Sequence, residues 1–212
     1  SFESHALIEN RYPGIAVFDF DRDGDMDFYV TSAEITALFQ ITRGGTNKFF
    51  ENLGNNEFAE IGSKTNTELA AQNSSAVAAC DFNNDGFQDL YVGGHGRIGD
   101  GLDYRSISDS LNSLEASLDR LLINSGTGIF EDITAQAFGE SANLRSTMSI
   151  SCADVDNDGW IDIFVGNRAD QDFVRFDDAR HHGHYNSLYL NNGDLTFTDI
   201  TLESGLLSPQ IK

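Results

Sequence analysis

The apolar positions fall in short runs that flank acidic or Asn/Gly-rich turns, a pattern that predicts many short strands and few long helices. One arrangement recurs three times, as Ala16-Val-Phe-Asp-Phe-Asp-Arg-Asp-Gly-Asp-Met-Asp-Phe-Tyr-Val30, Val77-Ala-Ala-Cys-Asp-Phe-Asn-Asn-Asp-Gly-Phe-Gln-Asp-Leu-Tyr-Val92 and Ile150-Ser-Cys-Ala-Asp-Val-Asp-Asn-Asp-Gly-Trp-Ile-Asp-Ile-Phe-Val165. Each copy reads apolar strand, Asp-x-Asp/Asn-x-Asp-Gly-x-x-Asp, apolar strand. A second element follows each one: Asn52, Gly54, Phe58 and Ile61, then Asn124, Gly126, Phe130 and Ile133, then Asn191, Gly193, Phe197 and Ile200. A strand, an Asn/Gly turn and a second strand make a hairpin.

Joined, the two elements give a unit of four strands, and the first Asp recurs at 19, 81 and 154, spacings of 62 and 73. Four-stranded repeats of that period predict an all-β protein built of β-propeller blades, three four-stranded antiparallel repeats over residues 12–62, 74–135 and 147–202. A β-sandwich with coincidental acidic turns is the competing architecture, but it does not explain two landmarks that keep one order. Closed propellers need about four or more blades. The span 1–212 is therefore expected to be a partial propeller, either a fragment or a ring completed by a partner.

The acidic turns carry the candidate chemistry. In the first, Asp19, Asp21, Asp23 and Asp27 occupy positions 1, 3, 5 and 9 of a tight turn, and at roughly 4 Å each like-charge pair costs about 4 kcal/mol even at an effective dielectric of ~20. A cation among them relieves that repulsion. Positions 1, 3 and 5 supply side-chain oxygens, Gly at position 6 permits the bend, and the position-7 carbonyl of Asp25, Phe87 or Trp160 faces the same way. The second set is Asp81, Asn83, Asp85 and Asp89; the third is Asp154, Asp156, Asp158 and Asp162. An all-oxygen cage of irregular geometry without His or Cys selects Ca²⁺ over Mg²⁺ and over softer metals. An EF-hand is excluded, because its bidentate Glu at position 12 is replaced by Val30, Val92 and Val165. Three calcium sites are predicted, with the second the weakest because Asn83 removes a charge.

The Asp-x-Asp-x-Asp-Gly-x-x-Asp runs, together with Leu-Tyr-Leu-Asn-Asn-Gly-Asp-Leu-Thr-Phe-Thr-Asp-Ile-Thr near the end, resemble the FG-GAP/VCBS repeat family of calcium-loop propellers related to the integrin α head. The stretch from Ser187 to Leu206 is similar to the branch that carries ASPIC/UnbV-type modules. The resemblance covers most of the chain outside three connections. It implies a secreted or surface-exposed protein, Ca²⁺ that stabilises the blades, and a role in adhesion or ligand binding.

Composition narrows the function classes. The chain has 212 residues, 34 acidic against 13 basic, and a net charge of -21. Such a surface repels phosphate backbones and anionic membranes, so neither nucleic-acid binding nor membrane insertion is expected. Eleven of the 34 acids sit at ligand positions, so three bound Ca²⁺ would move -21 to -15. The start, Ser1-Phe2-Glu3-Ser4-His5, lacks a signal-peptide pattern and reads as a mature product or an internal piece. Secretion or cell-surface display is the expected location, with the periplasm as the alternative.

The connections between second and third strands, Thr31 to Asn47, Gly93 to Asp119 and Asn167 to Asn186, vary most and are expected to hold the contact surface. The middle one contains Gly94-His-Gly96-Arg-Ile-Gly99, formally a dinucleotide motif with Asp119 beyond it, but no βαβ unit follows. Leu111, Leu114, Leu118 and Leu121 predict a short amphipathic helix over Ser106–Leu121. The third connection groups His181, His182 and His184 with Asp177 and Asp178; a solvated loop is the expected reading and a transition-metal site the alternative. Cys80 and Cys152 lie one and two residues before their loops' first Asp, hence on opposite faces of equivalent strands, and no bridge is expected between them. Asn73-Ser-Ser is a formal glycosylation acceptor.

The sequence thus points to a non-catalytic, calcium-binding extracellular recognition, adhesion or assembly module with a protein or glycan ligand. Two alternatives stand beside it. One is a glycan lyase or hydrolase using Arg180, His182 and His184; the other is a structural subunit that self-assembles into a filament or shell.

Overall fold

The computed structural model describes residues 13–32, 45–70, 72–94, 118–143, 145–167 and 186–206. Each acidic turn joins two apolar runs that pair antiparallel: β1 (Ile15–Phe18) with β2 (Asp27–Val30), in a register that sets Ile15 opposite Val30 and Phe18 opposite Asp27. The Asn/Gly turn then joins β3 (Lys48–Asn52) to β4 (Phe58–Glu60) with Asn52 opposite Phe58, and α1 (Gly62–Thr65) follows. The second sheet holds β5 (Ser74–Cys80), β6 (Asp89–Gly94), β7 (Arg120–Asn124) and β8 (Phe130–Asp132), followed by α2 (Thr134–Phe138). The third holds β9 (Thr147–Ala153), β10 (Asp162–Asn167), β11 (Ser187–Asn191) and β12 (Phe197–Asp199). All three are four-stranded sheets in sequence order, the all-β, blade-like architecture that the repeats predict.

The blades stack face against face in chain order, and the burial pattern follows from that. Blade 1 turns Phe18, Tyr29 and Phe49 toward Leu90, Val92, Leu122 and Phe130 of blade 2. The other face of blade 2, with Tyr91, Leu121 and Ile123, meets Ile163, Val165, Tyr189 and Phe197 of blade 3. Phe138 of α2 fills the second interface, its ring 5.1 Å from Tyr189 and 5.0 Å from Phe197. β6, central in the sandwiched blade, is buried at every position, whereas β1 alternates exposed and buried. Each such aromatic or Leu side chain contributes about 1.5–3 kcal/mol on burial.

Two expectations are corrected here. Cys80 and Cys152 form a disulfide between blades 2 and 3, with Cα atoms 6.7 Å apart. Blades stacked in one direction always present opposite faces to each other. The opposite-face placement that argued against a bridge is therefore the placement that permits it. The helix expected over Ser106–Leu121 lies mostly outside the described residues, but its end is strand: Leu121 belongs to β7, paired with Tyr91 and fully buried. Its match to the leucine spacing is coincidental.

Candidate functional site

The three acidic turns fold alike because the same backbone groups find the same carboxylates. The N–H of position 5 donates to position 1, from Asp23 to Asp19 at 3.1 Å, Asp85 to Asp81 at 3.2 Å and Asp158 to Asp154 at 3.1 Å. The Gly at position 6 donates to the other oxygen of that Asp, at 3.0, 2.9 and 2.9 Å. Gly24, Gly86 and Gly159 hold φ of 95°, 89° and 95°, a left-handed conformation that other residues rarely adopt. The position-4 residues Arg22, Asn84 and Asn157 are also left-handed.

Position 9 anchors each turn. Asp27 is buried at 1% exposure and accepts the N–H of Phe20 at 3.0 Å and of Asn52 at 2.8 Å. Asp89 accepts from Phe82 and Asn124, and Asp162 from Val155 and Asn191. One carboxylate thus ties its own turn to the third strand of the blade. The third-strand Asn then reaches backward: Asn124 Nδ2 donates to the Phe20 carbonyl at 2.7 Å, and Asn191 Nδ2 to the Phe82 carbonyl at 2.8 Å. Sequence reading marked these Asn residues only as turn formers. Their constant six-residue distance from the following Phe was the available signal.

The result is two tight carboxylate groups. In Asp19, Asp21 and Asp27, and again in Asp154, Asp156 and Asp162, one oxygen from each residue lies within 4.8 Å of the others. Asp23 and Asp158 stand outside these triads, each instead accepting the position-7 N–H, of Asp25 and Trp160, at 2.8 Å. Asp85 does the same with Phe87. The middle turn forms no such triad among the described residues; Asn83 there donates to Asp85 at 3.0 Å. The rings of Phe87 and Trp160 pack over Gly126 and Gly193 of the hairpin turns, where an added Cβ would clash.

Burial raises the Asp27 carboxyl above the usual range, opposed by the Asn52 and Phe20 N–H groups and reinforced by the charges of Asp21 and Asp23. Burial likewise pushes Asp89 up to about 7, with Asp85 and Asp81 adding to it. Asp156 is raised by local desolvation first, then by Asp158, Asp162 and Asp154. Crowded, partly desolvated carboxylates of this kind are stabilised by a hard cation.

Adjacent turns also touch. The Arg22 guanidinium lies 5.3 Å from the Phe87 ring centre, and Asn84 Nδ2 donates to the Gly159 carbonyl at 3.0 Å. Of the other sequence candidates, Gly94 closes β6 and residues 95–99 lie outside the described residues, as do Arg180, His181, His182 and His184. Asp119 serves the fold: its carboxylate accepts from the Gly94 N–H at 2.7 Å and from Tyr91, Asn143 and Thr147. Asn73 is only 4% exposed, which removes it as a glycosylation acceptor in the folded chain.

No helix among the described residues is long and apolar enough to cross a membrane. The chain is 26% identical over 140 residues to cartilage acidic protein 1 of Xenopus tropicalis, a match covering 66% of this chain and 18% of that relative. The chain thus spans less than a fifth of that relative's length. The model of the FG-GAP-like repeat matches residues 34–92 and 99–165, together more than half of the sequence. Recurrent acidic turns, four-stranded sheets and this match place the chain in the FG-GAP-like repeat family.

Proposed function

We propose that the chain is a non-catalytic recognition module of the extracellular space or cell surface, stabilised by Ca²⁺ in its acidic turns. The observation that carries this reading is the convergence of Asp19, Asp21 and Asp27, and of Asp154, Asp156 and Asp162, within 4.8 Å in turns of one geometry. Asp23 and Asp158, and the carbonyls of Asp25 and Trp160, complete the coordination when an ion binds. Asp81, Asn83, Asp85, Asp89 and the Phe87 carbonyl form the weaker middle site. An oxygen-only donor set on a flexible turn suits the six to eight ligands of Ca²⁺ better than octahedral Mg²⁺.

The ion's role is structural: it neutralises carboxylates that would otherwise repel, so binding energy becomes folding energy. The Cys80–Cys152 bridge fits an oxidising compartment. Cartilage acidic protein 1 shares the acidic character in its name, in keeping with the net charge of -21 here. A hollow of about 410 Å³ along the inner strands is lined by Gly14, Ile15, Ala76, Val77, Met148 and neighbours, with no titratable side chain. Contact with a protein or glycan ligand is assigned to the variable connections, most of which lie outside the described residues.

Terbium luminescence tests the metal reading. The single tryptophan, Trp160, sits at position 7 of the third turn and can sensitise a lanthanide bound there. Emission excited through Trp160 should saturate, be displaced by Ca²⁺ and vanish in Asp154→Asn. A chain that gives no Ca²⁺-displaceable emission contradicts the proposal.

A further inference from the structure

The basic side chains among the described residues are Arg22, Lys48, Lys64, Arg120 and Arg145, and all but one lie at the same end of the blades. Lys48 and Arg120 open β3 and β7, opposite Val30 and Val92, and pair there with Glu60 and Asp132. Lys64 lies in α1, and Arg145 donates to Ser187 at the start of β11. These positions are at the strand ends away from the acidic turns. Arg22 is the one cation among the described residues that stands at the turns.

Arg22 belongs to the first turn but reaches the second. It occupies position 4 with φ of 64° and forms no ion pair among the described residues. Its guanidinium lies 5.3 Å from the Phe87 ring centre, and its Nη1 is 2.9 Å from the place that a Cβ on Gly86 would take. Gly86 donates its N–H to Asp81 Oδ2 at 2.9 Å, so a single residue separates the guanidinium from the position-1 carboxylate of the middle turn. The equivalent contact one blade further on carries no charge: Asn84, at position 4 of the middle turn, donates its amide to the Gly159 carbonyl at 3.0 Å. The middle turn therefore receives a cation from its neighbour, and the third turn receives a neutral amide.

The turn that receives the cation is also the one with fewer carboxylates. Asn83 takes the position held by Asp21 and Asp156, and its amide donates to Asp85 at 3.0 Å. Carboxylate triads form in the first and third turns and not in the middle one among the described residues. A missing charge, an amide donor inside the turn and a guanidinium against it all reduce the repulsion that a metal ion would otherwise relieve.

We propose that Arg22 is the built-in counter-ion of the middle turn, a residue of one turn that sets the metal affinity of the next. This rests on the Ca²⁺ reading above and deepens it. With the guanidinium in place, the middle turn keeps its bend without an ion and binds Ca²⁺ weakly, because a fixed positive charge opposes an arriving divalent one. The third turn has no such group among the described residues and depends on the ion. The opposition acts through space at the protein surface, so salt screens it over roughly 8 Å at physiological ionic strength.

Calorimetric Ca²⁺ titration of the parent, Arg22→Gln and Arg22→Lys at low and high ionic strength tests this, with terbium emission through Trp160 reading the third turn separately. Arg22→Gln should tighten the weakest Ca²⁺ step by roughly threefold to tenfold at low ionic strength, leave the Trp160 signal unchanged, and lose most of its gain at high ionic strength. Arg22→Lys keeps the charge and should titrate like the parent. The gap between melting temperatures in Ca²⁺ and in EDTA should widen in Arg22→Gln alone. A weakest step that Arg22→Gln leaves unchanged would overturn the proposal, as would a gain that salt does not reduce. An equal gain in Arg22→Lys would do the same, because it would assign the effect to packing on Phe87 and not to charge. Where Trp160-sensitised emission persists in those cases, the Ca²⁺ reading stands and the role of Arg22 falls; a parent without Ca²⁺-displaceable emission overturns both.

Discussion

The side-chain amide of Asn124 donates to the carbonyl of Phe20, 104 residues earlier in the chain, at 2.7 Å. Phe20 in turn donates its N–H to Asp27, and Asn124 donates its own to Asp89. Through Phe82, Asn191 and Asp162 the same sequence of bonds repeats to the third turn. The three acidic turns are therefore linked by buried hydrogen bonds that also join the blades.

Asn124→Ala leaves the Phe20 carbonyl buried without a donor, and such a group costs about 1–3 kcal/mol. Asn52→Ala removes the same turn bond, from the Gly54 N–H, and the exposed bond to the Met26 carbonyl, but no bond between blades among the described residues. Urea unfolding should show Asn124→Ala as the more destabilised of the two by at least ~1 kcal/mol. Equal losses would mean that the cross-blade bond adds nothing.

Removing the Cys80–Cys152 bridge frees a 72-residue separation in the unfolded chain. Chain-entropy reasoning assigns about 4 kcal/mol to a loop of that size. The double variant Cys80→Ala with Cys152→Ala should melt well below the oxidised parent and lose all sensitivity to reductant. A melt unchanged by reduction of the parent would show that the bridge does not constrain folding.

Strands, turns and the convergence of carboxylates in the first and third turns were legible in the sequence because each rests on local periodicity: an apolar pair, an Asp ladder, an Asn and a Phe six residues on. What joins the blades was not. The Cys80–Cys152 pairing depends on which faces meet, and a strand's alternation assigns a side without naming the neighbour on it. The backward reach of Asn124 and Asn191 was hidden for the same reason, since an Asn before a Gly already has a sufficient local explanation as a turn. At the turns themselves, the triads draw on positions 1, 3 and 9. Position 5, an equal partner by spacing, spends an oxygen on the position-7 N–H.

Asp119, 1% exposed, has its carboxyl pushed up to about 7 by burial, against hydrogen bonds from Asn143, the Gly94 N–H, Thr147 and Tyr91 that pull it down. A raised value in the fold means that folding favours the protonated form. The stability it contributes is full below the unfolded value of about 3.9 and is lost as pH rises through about 7. Between those limits the parent should lose melting temperature relative to Asp119→Asn, which cannot ionise. Parallel curves for the two chains would contradict the assignment.

Asn83 makes the middle turn one charge poorer than its neighbours. Asn83→Asp should strengthen Ca²⁺ binding at that turn, on the order of tenfold or about 1.4 kcal/mol. Calorimetric titration should resolve two tighter sites and one weaker in the parent, with the difference narrowed in the variant. An unaltered isotherm would remove Asn83 from the ligand set.

The central claim is that a cation in the acidic turns holds the blades together, and thermal unfolding with and without chelator tests it most directly. The account predicts a melting temperature that falls by several degrees or more in excess EDTA, is restored by Ca²⁺ and not by an equal concentration of Mg²⁺. A melt that is the same in EDTA and in Ca²⁺ would contradict it.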